Sequence, residues 1–133
     1  MNFTKLLLCA AISVFWSQTA SLAETINITV PAGKSSVIYN FASYNPGTCG
    51  AMAPPKAEVR KPKNGTLTSS RSSQKIAAGK PCAGKIVKGT RVIYRPKPGF
   101  RGKDVAKFGF SRPRFTDGTG SSYYGVTANI TVK

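Results

Sequence analysis

The sequence predicts an all-β fold: a sandwich of about seven short antiparallel strands, closed by one disulfide. Three observations carry this expectation. No segment places apolar residues at i, i+3, i+4 and i+7 for long enough to make an amphipathic helix. Apolar and polar residues alternate instead, as in Ile26, Ile28 and Val30 against Asn27 and Thr29. Such runs are separated by turn residues at sandwich-like spacing: Pro31-Ala32-Gly33, Asn45-Pro46-Gly47, Asn64-Gly65, Pro98-Gly99 and Asp117-Gly118.

Residues 1–23 read as a secretory leader that precedes the fold. Lys5 supplies its positive start, Leu6 to Trp16 its apolar run, and Ser21-Leu22-Ala23 a small-x-small cleavage site before Glu24. The run is well short of the roughly 20 residues that cross a bilayer, so no transmembrane span is expected. Cys9 follows Leu8, where a lipoprotein site wants a small residue, and is expected to leave with the leader. The chain is therefore expected in the periplasm or secreted. The remaining 133 − 23 = 110 residues, Glu24 to Lys133, make one domain.

Within that domain the strands follow in order. The first is Ile26 to Val30. Val37, Tyr39 and Phe41 alternate in the second, and Ala57 to Val59 is a short third. Thr66-Leu67-Thr68 and Lys75-Ile76-Ala77 read as two further short strands. Arg91 to Arg95 and Val105 to Phe110 are stronger. Val126, Ala128, Ile130 and Val132 mark the last. The first and last strands, I-N-I-T-V and A-N-I-T-V, are nearly identical. Nothing else matches between the halves, so this reads as two strands with the same task, not a duplicated repeat. Cys49 and Cys82 remain after the leader, and an exported chain is expected to pair them.

The segment Gly89 to Asp104 is the densest in local signals. Pro96 and Pro98 fix their own φ and are unsuited to a central strand. Gly99 and Gly102 admit backbone angles that other residues resist. Phe100 is expected to plug the end of the sandwich, and Asp104 to accept hydrogen bonds from turn amides. A calcium role for Asp104 would need clustered oxygen ligands, and the four acids of the domain, Glu24, Glu58, Asp104 and Asp117, are scattered.

Several of these residues also carry a resemblance. Lys63-Asn64-Gly65-Thr66-Leu67-Thr68, then Tyr94-Arg95-Pro96 with Pro98-Gly99-Phe100-Arg101-Gly102-Lys103-Asp104, the strand to Phe110, and the closing Ala128-Asn129-Ile130-Thr131-Val132 resemble the bacterial immunoglobulin-like and cadherin-like domains. The resemblance implies an immunoglobulin-like β-sandwich. Three departures stand out. Ala106 occupies a position where the family has an aromatic, the cysteine pair is an addition, and a single domain is expected in place of a tandem array.

Little in the chain favours catalysis. It contains no His, which removes the commonest general base and the Ser-His-Asp and Cys-His arrangements. Four scattered acids leave no evident carboxylate pair, and there is no phosphate-binding glycine loop. A Lys-activated Ser remains open in principle, with too many generic candidates to name a pair. No enzyme activity, cofactor or metal is expected.

Charge is the strongest functional signal. Without Lys5 the domain has 20 − 1 = 19 basic residues against 4 acids, a net of 19 − 4 = +15. The candidate anion-binding residues are Arg91, Arg95, Lys97, Arg101, Lys103, Lys107, Arg112 and Arg114. Arg91 and Arg95 alternate with Val92 and Tyr94, so they share one exposed face, and Lys107 is expected to join them from a neighbouring strand. The implied partner is an anionic envelope component: lipopolysaccharide, anionic lipid or acidic polysaccharide, with peripheral membrane contact. Nucleic acid ranks below these, because aromatics such as Tyr39, Tyr44, Phe115, Tyr123 and Tyr124 more often fill a β core than stack bases. The alternative is a protein–protein module contacting another envelope protein through Tyr44 and Phe115. The other alternative is a merely solubilising charge. Three N-x-T sequons occur, at Asn27, Asn64 and Asn129; the first and last arise from polar alternation on strands, and in a bacterial context all three read as coincidental.

Overall fold

A computed structural model describes residues 22–114, 117 and 119–133. Seven strands follow in chain order: β1 (Leu22–Val30), β2 (Ser36–Ala42), β3 (Ala57–Val59), β4 (Gly65–Lys75), β5 (Ile86–Pro96), β6 (Gly102–Pro113) and β7 (Ser121–Val132). They form two sheets, one ordered β1-β7-β6-β3 and the other β2-β5-β4. Cys49 and Cys82 are joined by a disulfide.

The alternating patterns become the facing surfaces of the two sheets. Val92 and Tyr94 of β5 meet Ala106, Phe108 and Phe110 of β6 and Val126, Ala128, Ile130 and Val132 of β7 in one buried cluster. Tyr39 and Phe41 bridge the sheets by packing on Phe108 and Phe110, with ring centroids 5.0–5.8 Å apart.

Four expectations need correction. Not all strands are antiparallel, because β1 runs parallel to β7. Their near-identical sequences lie side by side in register: Asn27 opposite Asn129, Ile28 opposite Ile130, Thr29 opposite Thr131 and Val30 opposite Val132. Parallel strands present the same face at matched positions, so like residues meet, and Asn129 Nδ2 donates to Asn27 Oδ1 at 3.1 Å. The shared task of the two strands is thus to pair with one another.

Second, Val37 is not a core residue. The β2–β5 register slips between Val37 and Tyr39, which leaves Val37 44% exposed and Ile38 5% exposed. An inserted residue of this kind reverses the side-chain phase of the strand. Third, the two short strands expected around Leu67 and Ile76 are one continuous strand. β4 pairs with β5 from Gly65–Pro96 to Lys75–Ile86. The Ser-rich middle holds its strand form because β5 satisfies its backbone groups, whatever its modest β-propensity. Fourth, Pro96 ends the central strand of its sheet, opposite Gly65. At a strand terminus its missing N–H costs little.

Chain direction sorts the connections. Those before β2, β4 and β6 gather at one end of the molecule, and those before β3, β5 and β7 at the other. The first end is sealed by a polar knot. Asp104, 5% exposed, accepts from Tyr94 Oη at 2.8 Å, the Asn64 amide at 3.1 Å and the Val105 amide at 2.9 Å. Burial, and then the bond to Asp104, push the Tyr94 hydroxyl's pKa above its ordinary value. Phe100 packs partly buried against the core beside this knot.

Candidate functional site

The basic residues singled out above do not form one face. Arg91 and Arg95 project from the outer surface of the β2-β5-β4 sheet, since Val92 and Tyr94 between them point into the core. Arg91 Nε donates to Ser70 Oγ of β4 at 2.8 Å. Lys103 and Lys107 alternate with buried Asp104, Ala106 and Phe108 on β6, so they leave from the outer surface of the other sheet. The expected joining of Lys107 to Arg91 and Arg95 therefore fails, because β5 and β6 lie in different layers. Lys97 and Arg101 sit in the β5–β6 turn at the sealed end, where the Lys97 amide donates to Asn64 O at 2.9 Å.

Arg112 and Arg114 go elsewhere. Ala106, Phe108 and Phe110 point inward, and Arg112 continues that row two residues beyond Phe110, past the edge of the core. Its guanidinium lies over the Tyr124 ring, 5.8 Å from the centroid. Arg114 Nε donates to Ser122 Oγ at 3.2 Å. Ser122 is the register partner of Arg112 on β7. Together they form one wall of a cleft of about 510 Å³. The other wall is the segment after β2, including Tyr44, Pro46 and Met52, and Phe41 of β2 also lines the cleft. Tyr44, proposed from sequence as a protein contact, thus shares a cleft with Arg112 and Arg114, proposed as anion ligands. Phe115 lies outside the described residues.

The Tyr44 wall is held by its own backbone bonds. Tyr44 bridges Ala51, the Asn45 amide donates to Gly50 O at 2.9 Å, and the Cys49 amide returns to Asn45 O at 2.8 Å. The disulfide to Cys82 fastens this segment to the β4–β5 connection. Beside the cleft, Glu24 accepts from Tyr39 Oη at 2.9 Å and from Tyr124 Oη. Burial, then the Glu24 bond, raise the Tyr39 hydroxyl's pKa. For Tyr124 the Glu24 bond comes first and burial second.

Sequence reasoning missed Phe41, Met52 and Ser122 as cleft residues. Met52 carries no local signal, and Ser122 enters only through strand register. One signal was available for Arg112: its place in the i, i+2, i+4 row of Ala106, Phe108 and Phe110 predicts an inward side chain.

No family model matches the chain, and no curated protein matches it. Among solved structures, the solution structure of Amebosin is similar with a TM-score of 0.42 and 15% identity, over 84% of this chain and 98% of that one. So loose a likeness carries no argument.

Proposed function

We propose that this is a non-catalytic, exported binding module of immunoglobulin-like architecture whose basic surface takes anionic envelope components or polymers. One observation carries the reading: three of the four acids, all but Glu58, are taken up by hydroxyls and amides. Glu24 accepts from two tyrosines, Asp104 from Tyr94 and two amides, and Asp117 from the Thr119 amide and hydroxyl. The excess of Lys and Arg, 20 against 4 acids, is left for solvent and ligand. Such a surface attracts polyanions over a range set by ionic strength.

The immunoglobulin-like part of the reading is supported by strand order. β2-β5-β4 against β7-β6-β3 parallels the B-E-D and G-F-C sets of that fold, with β1 joining the second sheet. The disulfide departs from it, linking two connections where antibody domains link two strands across the core. Export is supported by the leader pattern and by the disulfide.

The test is binding to lipopolysaccharide, anionic liposomes and an acidic polysaccharide across a salt series. Affinity should fall steeply as salt rises. Changing Arg91, Arg95, Lys97, Arg101 and Lys103 together to Gln should weaken binding while leaving folding intact, since all five are exposed. Undetectable binding to every anionic probe at low salt would sink the proposal. A second reading, a protein–protein module, is favoured by Tyr44 lining a partly apolar cleft. A partner from envelope extract that survives high salt would select it.

A further inference from the structure

We propose that the cleft between the Tyr44 segment and the end of β6 recognises a phosphate-headed amphiphile: a phosphate monoester carried on a short acyl body. This deepens the anionic-ligand reading and rests on it, but it assigns the ligand to one site and one chemistry.

The argument starts from the cationic wall. Two guanidiniums and one hydroxyl line it, from Arg112, Arg114 and Ser122. Arg112 uses its flat face on Tyr124, and face stacking leaves the N–H edges available for oxygen acceptors. Neither Glu24 nor Asp117 spends its hydrogen bonds on the pair. Glu24 holds two tyrosine hydroxyls, and Asp117 holds Thr119. A carboxylate has two oxygens, and a single guanidinium fork satisfies it. A phosphate monoester has three terminal oxygens and a charge of about −1.5 to −2 at neutral pH. It can meet both forks and the hydroxyl, so the donor set matches phosphate better than carboxylate.

The opposite wall selects the body of the ligand. Phe41, Tyr44 and Met52 line the same cleft as the cations. Inorganic phosphate or a bare sugar phosphate would leave their apolar surface wet. An acyl chain covers it, and an unbranched Met side chain adapts to flexible chains of this kind. The cleft volume of about 510 Å³ falls in the usual range for small-molecule sites, roughly 300–1,000 Å³. The Tyr44 segment is already tied down by its backbone bonds and by the disulfide, so little ordering is left for binding to pay for.

The experiment is calorimetric titration of the intact domain with dihexanoyl phosphatidic acid below its micelle concentration. Inorganic phosphate and dihexanoyl phosphatidylcholine serve as comparison probes. One-to-one binding of the phosphatidic acid is expected, at least about tenfold tighter than either comparison probe. R112Q/R114Q should weaken it by about 30-fold or more, because charge-assisted hydrogen bonds are the strong class. M52S should weaken it about three- to tenfold and leave inorganic phosphate binding unchanged. The five-residue variant of the outer surfaces and the sealed end should keep one-to-one affinity within about threefold, since none of its positions lines the cleft. Circular dichroism checks that each variant folds. Unchanged affinity in R112Q/R114Q overturns the cleft assignment. Equal loss in the five-residue variant also overturns it, while leaving the general anionic reading standing. Absence of binding to every anionic probe overturns both. Equal affinity for inorganic phosphate overturns the amphiphile and leaves a phosphate site.

Discussion

Replacing Asp104 with Ala should be among the most damaging single changes in this protein. The side chain is 5% exposed and accepts three hydrogen bonds, two at Oδ2 and one at Oδ1. Two of its donors are far in sequence: Tyr94 Oη at 2.8 Å and the Asn64 amide at 3.1 Å. Truncation strands both. The Tyr94 hydroxyl retains only Asn64 O at 3.4 Å, a weak substitute. Each buried donor left without a partner costs about 1–3 kcal/mol, so the change should cost about 2–6 kcal/mol. That is a large fraction of the roughly 5–15 kcal/mol stabilising a typical domain. Urea denaturation followed by tryptophan-independent circular dichroism would measure it. Tyr94→Phe alone removes one donor and should cost less, about 1–2 kcal/mol. In the double variant the stranded hydroxyl is gone, so the two losses should fall short of their sum by about 1 kcal/mol or more. A cost below about 0.5 kcal/mol for Asp104→Ala, or strict additivity with Tyr94→Phe, would refute the knot as a stabilising element.

Other outcomes follow from particular contacts. Gly65→Ala should destabilise by about 3 kcal/mol, because an added Cβ would lie 2.6 Å from Arg95 O and 2.6 Å from the buried Tyr94 ring. Gly109→Ala should cost under about 1 kcal/mol, since its Cβ meets the ring of Tyr123, which is 46% exposed and free to swing outward; thermal melts of both variants check the contrast. Removing the disulfide as Cys49→Ser with Cys82→Ser releases a 33-residue separation, worth about 3–4 kcal/mol in the chain-entropy description. The same change should weaken the cleft titration, because the Tyr44 wall loses its fastening. Stability should also decline in alkali. The folded Tyr94 hydroxyl has a raised pKa, so its contribution is complete below the ordinary value near 10 and is lost as pH rises towards the folded value. Urea midpoints at pH 8 and pH 11 should differ less in Tyr94→Phe than in the parent protein.

The candidate site was legible only in part. The chain's charge, and Arg112 and Arg114 within it, stand out in the sequence, and so does Tyr44 in its turn-rich segment. Their meeting in one cleft does not. Residues 44 and 112 are joined by no local pattern, and Ser122 reaches Arg112 only through the β6–β7 register. Grouping Lys107 with Arg91 and Arg95 failed for the same reason. Alternation reports which side of its own strand a residue occupies, but not which sheet that strand joins.

By itself the sequence determined what local periodicity and turn chemistry can decide. Alternating residues placed the strands of β1, β6 and β7 and most of the core. Gly, Pro and Asn marked the turns, and Cys49 and Cys82 implied their bond. Only the tertiary structure decided the rest. It laid I-N-I-T-V beside A-N-I-T-V in parallel, carried β4 through its serines, slipped β2 so that Ile38 and not Val37 is buried, and divided the cations among two outer faces, a sealed end and a cleft. Strand form and inward phase are set within a few residues. Pairing partner, sheet membership and the convergence of side chains are set by contacts between residues far apart in the chain, where satisfying backbone hydrogen bonds and burying a shared core outweigh local preference.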